Sequence, residues 1–142
     1  MPTRRASAVW EGGLKTGNGS FAGESGAIGG SYSFGSRFEN ATGSNPEELL
    51  AAAEAACFSM ALSLGLEQNG TPPTRVETKA ACTVESVDGG FSITRMHLQV
   101  EATVPGIQDA DFQRIATATR DGCPVSRALA GNVELSVDAK LA

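Results

Sequence analysis

The chain has 142 residues, a length typical of one domain around a single hydrophobic core. Its hydrophobic content of 41% indicates a globular protein, and its formal net charge of −5, with no basic cluster, argues against nucleic-acid binding. The single histidine, His97, excludes a His-rich metal site and any Cys–His or Ser–His catalytic pair that lacks it. Three cysteines remain to be explained.

Ten of the 17 glycines fall in the first 45 residues, which is typical of short strands joined by turns. We expect strands near residues 6–11, 19–25 and 32–39. The N-terminus lacks the apolar stretch of a signal peptide, and the apolar run at 49–66 is broken by polar residues. We therefore expect a cytoplasmic protein with no membrane span. Thiols stay reduced in the cytoplasm, where cysteines are catalytic, redox-active or core residues rather than structural bridges.

The clearest predicted element is a helix over residues 46–68. Asn45 is a good N-cap, Pro46 suits the first helical position, and Glu48 lies three residues after the cap. Apolar residues then recur at helical spacing, which predicts an inward-facing stripe of Leu49, Leu50, Ala53, Cys57, Met60, Ala61 and Leu64.

The rest of the chain alternates strands and helices. Residues 75–104 predict a β-hairpin that turns at Asp88–Gly89. A helix over 109–120 with Gly122 as its C-terminal cap, a short helix from Cys123–Pro124 to about residue 130, and a strand over 133–141 follow. This order predicts a single α+β domain spanning residues 1–142.

The three cysteines have different settings. Cys82 shares a strand face with apolar residues, so it is interpreted as a core residue. Cys57, in the middle of the long helix, is either another buried cysteine or a thiolate that needs a cation from elsewhere. Cys123 precedes a proline at the start of a helix, where backbone N–H groups favour a thiolate and a redox role. The absence of a CxxC motif and of further histidines argues against a metal site.

A thiolate without a histidine base needs another cation. Arg37 interrupts the aromatic segment 32–38 and is either that cation or a surface arginine. His97 is interpreted as a surface residue. Glu48 precedes Cys57 by nine residues, about half a revolution around the helix and ~13 Å along it. If Glu48 and Cys57 share a site, Glu48 acts through an intermediary such as Arg37 or a second subunit contributes; otherwise it is a helix-capping carboxylate.

Several segments in order along the chain resemble the osmotically inducible protein C / organic hydroperoxide resistance (OsmC/Ohr) family of bacterial peroxidases, and more closely its OsmC branch. The most specific are the NPEEL and AACFSMAL segments around Glu48 and Cys57 and the GCPVS segment around Cys123. Weaker matches are WEG at 10–12, ESG at 24–26, RFE at 37–39, GFSIT at 90–94 and VPGI at 104–107. Cys82 has no counterpart in these motifs.

The resemblance implies an OsmC-like fold in which antiparallel sheets pack around a long central helix. It also implies an intertwined homodimer with two active sites at the subunit boundary. Carried over by motif, Cys57 is the peroxidatic cysteine and Cys123 the resolving one. Arg37 stabilises the Cys57 thiolate, and Glu48 orients Arg37. No cofactor and no metal are implied.

The implied activity is reduction of organic hydroperoxides, and less effectively of hydrogen peroxide, in oxidative and osmotic stress defence. It proceeds through a Cys57 sulfenic acid and a Cys57–Cys123 disulfide, which a dithiol, expected to be a lipoyl protein, reduces. We expect Phe38, Phe58 and Met60 to form an apolar substrate pocket. The alternative is a redox sensor or stress-induced binding protein without turnover. A general thiol–disulfide oxidoreductase is disfavoured by the missing CxxC motif.

Overall fold

The computed structural model describes all 142 residues and divides into two compact units, Met1–Leu49 and Leu50–Ala142. The first unit holds an antiparallel sheet of β1 (Ala6–Glu11), β2 (Asn18–Gly23) and β3 (Gly29–Tyr32), then helix α1 (Phe34–Phe38). Helix α2 (Pro46–Gln68) begins in this unit. The second unit adds β4 (Arg75–Val87), β5 (Gly90–Thr103), α3 (Asp109–Gly122), α4 (Pro124–Leu129) and β6 (Glu134–Leu141). A single domain over residues 1–142 stays a prediction.

The third strand of the first unit is shorter than expected. A strand over residues 32–39 was predicted, but β3 ends at Tyr32 and α1 follows. The reason is a capping box: Ser33 accepts a hydrogen bond from the Ser36 N–H, and the Ser33 N–H donates to the Ser36 hydroxyl. This reciprocal pair of hydrogen bonds stabilises a helical turn, so Arg37 lies in the last turn of a helix and not on a strand.

Helix α2 has the predicted bounds, and its start is capped as expected. The Asn45 side chain accepts a hydrogen bond of 2.7 Å from the Glu48 N–H. The predicted apolar stripe is not the buried face of the helix, however, because Met60 and Leu64 are 77% and 54% exposed. The buried face instead repeats every four residues as Glu54, Phe58, Leu62 and Leu66. Apolar residues occur all round this helix, so spacing alone could not select the inner face.

By length and composition alone, α2 is the one helix that could cross a membrane. Its most apolar window has a mean hydropathy of 1.8, so the expectation that this run is too polar for a span is wrong by that measure. The core helix of a soluble protein meets the same criterion. Only 22% of the window is buried.

The second unit is built on a three-stranded sheet in the order β4-β5-β6. The predicted hairpin is confirmed, with Asp88 and Gly89 both at positive φ in its turn. The pairing of β5 with β6 is parallel, so the expectation of purely antiparallel sheets is wrong here. Parallel neighbours need a long crossover, and α3 with α4 forms it. The core between this sheet and the helices is dominated by Phe58, Leu62, Leu66, Met96, Leu98 and Phe112.

The junction between α3 and α4 differs from the predicted cap. Gly122 is the last residue of α3 and has no positive φ, so its assignment as a left-handed C-terminal cap is wrong. Cys123 instead serves as the cap residue of both helices, ending α3 through its N–H to the Thr119 carbonyl at 2.9 Å. Pro124 then begins α4 as predicted.

Candidate active site

Two cysteines that lie 66 residues apart in the chain meet in the second unit. The Sγ of Cys123 donates a hydrogen bond to the Sγ of Cys57 at 2.9 Å. A disulfide has a bond length of about 2.05 Å, so both residues are thiols in this structure. Cys57 is partly exposed, whereas Cys123 is fully buried. A small oxidant can therefore reach Cys57, and Cys123 lies directly behind it.

The groups around Cys57 shift the pKa of its thiol in opposite directions. Burial raises its pKa, the hydrogen bond with Cys123 raises it further, and electrostatic interactions with Cys123 and Glu54 act in the same direction. A backbone hydrogen bond from Val125 lowers the pKa, and the net pKa is above the ordinary value of 9.0. These groups of the second unit therefore disfavour the thiolate form of Cys57.

The start of α4 serves a different cysteine from the one predicted. We expected the helix N-terminus to favour a Cys123 thiolate, but the Cys123 side chain makes no capping hydrogen bond. The N–H group of Val125, at the second helical position, is directed to the Cys57 sulfur instead. Cys123 thus positions the helix start, and Cys57 receives the hydrogen bond.

A buried carboxyl group lies beside this pair. Glu54 is fully buried, three residues before Cys57 on α2, and its Oε1 accepts a hydrogen bond from the Ser126 hydroxyl. Ser126 is 1% exposed and lies three residues after Cys123. Glu54 is not among the site residues predicted from the sequence. Its signal was available, because Glu54 is a charged residue inside an apolar helical run, one turn from a cysteine.

The first unit holds an arginine–carboxylate pair. The Nε and Nη2 of Arg37 donate to the Oε1 of Glu47 at 3.0 and 2.8 Å, and the Nε also lies 3.3 Å from the Oε2. The Glu47 side chain is only 7% exposed, and that of Arg37 is 35% exposed. The guanidinium also lies 5.1 Å from the Phe38 ring centroid. Arg37 is therefore held on two sides with part of its guanidinium accessible.

The structure corrects the predicted partner of Arg37. The sequence assigned Glu48 to orient it, but Glu48 is exposed and accepts a hydrogen bond from the Ser44 hydroxyl at 2.9 Å. Glu47, one residue earlier, makes the contact. The reason is that the third helical position faces back over the helix start, where Glu48 serves the cap. Because the third helical position is usually occupied in capping, the capping rule could have indicated Glu47 as the partner of Arg37.

The remaining side chains considered in the sequence are Cys82, His97 and the expected pocket residues. Cys82 packs against the hydrophobic core as predicted. His97 is half-buried, with its Nδ1 2.6 Å from the Ser136 hydroxyl and its Nε2 3.2 Å from Asp138, on the strands β5 and β6. The expected pocket of Phe38, Phe58 and Met60 stays a prediction. Phe58 and Met60 are two positions apart on a helix, so Phe58 is in the core while Met60 is exposed.

The fold and the paired thiols define a class: small α+β proteins with a two-cysteine site between a long helix and a helix start. A sequence profile described as OsmC-like protein matches residues 39–138. Peroxiredoxin OsmC of Escherichia coli strain K12 is 44% identical over 138 residues, 96% of each chain. The organic hydroperoxide resistance protein OhrB of Bacillus subtilis is 33% identical over 103 residues, 72% of this chain and 74% of that protein.

Solved structures agree with the sequence matches. The crystal structure of Bacillus subtilis OhrB matches with a TM-score of 0.75 and 26% identity, covering 96% of this chain and 98% of that chain. An OsmC-like protein of Mycoplasma pneumoniae, at 16% identity, shares the fold with the same TM-score over 99% of this chain. The protein belongs to the OsmC-like family, and the fold inferred from its motifs is confirmed.

Proposed function

We propose that this protein is a thiol peroxidase that reduces organic hydroperoxides, with Cys57 as the peroxidatic and Cys123 as the resolving cysteine. The observation that carries the proposal is the 2.9 Å separation of the two thiol sulfurs, one partly exposed and one buried. The relatives named peroxiredoxin and organic hydroperoxide resistance protein support the same chemistry and substrate class.

The reaction follows from the order of the two thiols. The Cys57 thiolate attacks one peroxide oxygen, the O–O bond breaks, and the alkoxide leaves as an alcohol after taking a proton. Cys57 is then a sulfenic acid. The Cys123 sulfur attacks the Cys57 sulfur and displaces hydroxide, so one disulfide and one water form. A dithiol, for which we propose a lipoyl protein, reduces this disulfide by exchange and becomes a disulfide itself.

Attack on the peroxide requires a thiolate, which the second unit alone disfavours. Burial, Cys123 and Glu54 all raise the pKa of the Cys57 thiol. A cation near the sulfur counteracts this, and we assign that role to Arg37, with Glu47 in place of Glu48 as the residue that positions it. Arg37 is suited to it because a guanidinium stays charged and offers several N–H donors to a peroxide oxygen.

We further propose that the protein acts as a homodimer in the cytoplasm. The support is the outer face of α2, where Met60 and Leu64 are 77% and 54% exposed. A helix that is apolar all round is normally covered on all sides, and a second copy of the chain would cover this face.

The decisive experiment follows cumene hydroperoxide consumption with dithiothreitol as reductant. Wild type is expected to turn over, and Cys57→Ser to fall to the uncatalysed background because the nucleophile is lost. Cys123→Ser should react once and accumulate a sulfenic or over-oxidised Cys57, visible by mass spectrometry. Cys82→Ser is the matched control and should keep wild-type activity, because Cys82 is partly buried against the core and is assigned no role in the reaction.

Two results would contradict the proposal. Unchanged turnover in Cys57→Ser would remove the assigned nucleophile. A wild-type protein that forms its disulfide with peroxide but does not turn over with dithiothreitol or a lipoyl protein would instead be a redox sensor.

A further inference from the structure

One buried carboxyl oxygen in the second unit has no hydrogen-bond partner. Glu54 is fully buried, and while its Oε1 accepts from Ser126, its Oε2 has no partner. Buried polar atoms are almost always paired, so an unpaired carboxylate oxygen calls for a functional explanation. A leucine at this place would continue the apolar face of α2 without that cost.

The position of Glu54 ties it to both cysteines. It lies one helical turn before Cys57 on α2, so the two side chains occupy the same side of the helix. Its hydrogen-bond partner Ser126 lies one turn after Cys123 on α4. The negative charge of Glu54 acts on the Cys57 thiol. The carboxyl group therefore borders the space in which the two sulfurs meet.

Disulfide formation requires a proton to move in that space. The Cys123 thiol must lose its proton, and the hydroxyl of the Cys57 sulfenic acid must gain one to leave as water. Cys123 is fully buried, so bulk water cannot collect its proton. Glu54 Oε2 is a buried acceptor with no hydrogen-bond partner, one helical turn from Cys57.

We propose that Glu54 is the proton carrier of the resolving step, an inference that rests on the peroxidase function proposed above. The Oε2 of the carboxylate takes the proton from the Cys123 sulfur. The resulting thiolate attacks the Cys57 sulfur, the S–O bond breaks, and the departing hydroxide takes the same proton from Glu54. One disulfide and one water form, and the carboxylate is restored. The hydrogen bond from Ser126 holds Oε1, which leaves Oε2 to carry the proton.

The test separates the two chemical steps. Reduced protein, free of reductant, reacts with one equivalent of cumene hydroperoxide, and sulfenic acid and disulfide are quantified over time by trapping and mass spectrometry. In Glu54→Gln the first step should be as fast as in wild type or faster, because losing the charge lowers the pKa of Cys57. The second step should be about 100-fold slower, as expected when a proton-transfer group is lost.

The matched control is Glu67→Gln, the same substitution at an exposed position of α2, which should leave both steps unchanged. Glu54→Asp keeps a carboxyl group and should recover much of the second step. A general distortion of the site would slow both steps, whereas loss of a proton carrier slows the second step alone.

A wild-type rate of disulfide formation in Glu54→Gln, or an equal slowing of both steps, would overturn the inference while leaving the peroxidase function intact. Failure of wild type to form sulfenic acid at all would instead refute the function. If Glu54→Gln does not fold, wild type in heavy water decides: an unchanged rate of disulfide formation would show that no proton transfer limits that step.

Discussion

Adjacent carboxylates at the start of α2 have different partners. Glu47 is buried and holds Arg37 through two nitrogens, whereas Glu48 is exposed and accepts from Ser44. A bidentate arginine–carboxylate pair fixes both the distance and the plane of the guanidinium. Glu47 is therefore the residue whose loss changes where the Arg37 charge lies.

Replacing Glu47 should impair the attack of Cys57 on peroxide, if Arg37 stabilises the thiolate. Hydrogen bonds to charged groups are worth about 1.5–3 kcal/mol, so Glu47→Gln should slow sulfenic acid formation roughly tenfold or more. Glu48→Gln is the matched control at the neighbouring position and should keep the wild-type rate. Stopped-flow measurement of the rate of sulfenic acid formation compares the two variants. Equal rates in both would show that Glu47 does not position Arg37 for the reaction.

The roles of single residues could be predicted from the sequence where a family motif contains the residue. They could not be predicted reliably where two residues of the same type are adjacent. Cys57 and Cys123 could be assigned roles by motif, but nothing in the spacing of residues so far apart predicts that their sulfurs lie 2.9 Å apart. Glu47 and Glu48 are adjacent residues of the same type, and they differ only in the direction in which their side chains leave the helix. Glu54 was not predicted because a lone carboxylate in a helix is usually exposed, although its place in an apolar run one turn from Cys57 was a usable signal.

The elements were predictable wherever local chemistry decided them. The cap at Asn45 and the turn at Asp88–Gly89 fixed the helix start and the hairpin register as expected. Helix α1 was missed because its aromatic sequence favours a strand, and a two-serine capping box outweighs that preference. The parallel pairing of β6 is a tertiary feature that alternation of polar and apolar residues cannot show.

The two sides of α2 should respond differently to truncation. Leu62 is fully buried in the core of the second unit, whereas Leu64 is 54% exposed. Leu62→Ala should destabilise the protein by about 2–5 kcal/mol at every protein concentration, because it leaves a cavity. The effect of Leu64→Ala should instead vary with concentration, since its loss weakens association.

Thermal unfolding of both variants at low and high protein concentration measures this difference. The proposed outer interface would be excluded if the effect of Leu64→Ala were independent of concentration. It would also be excluded if the melting temperature of wild type did not rise with concentration.

For the whole molecule, the proposed homodimer offers two sources for the charge that serves Cys57: the same chain or its partner. A helix rises about 1.5 Å per residue, so residues nine or ten positions apart on one helix are ~13–15 Å apart along its axis. Glu47 therefore cannot touch the Cys57 of its own helix, so if they contribute to one site, either Arg37 spans the distance or a second copy of the chain supplies the arginine–carboxylate pair. The family resemblance implies the second arrangement, a site shared between subunits.

Mixing two inactive variants tests the shared site directly. Arg37→Ala retains both cysteines, and Cys57→Ser retains the arginine, so each homodimer should be inactive. If Arg37 serves the cysteine of its partner, each mixed dimer contains one complete site. Random exchange of subunits makes about half of the dimers mixed, which should restore roughly a quarter of the wild-type peroxidase rate.

If both residues of a site come from one chain, no mixed dimer holds a complete site and the mixture stays inactive. Native mass spectrometry of differently tagged chains must first show that the subunits exchange. An inactive mixture then contradicts the shared site.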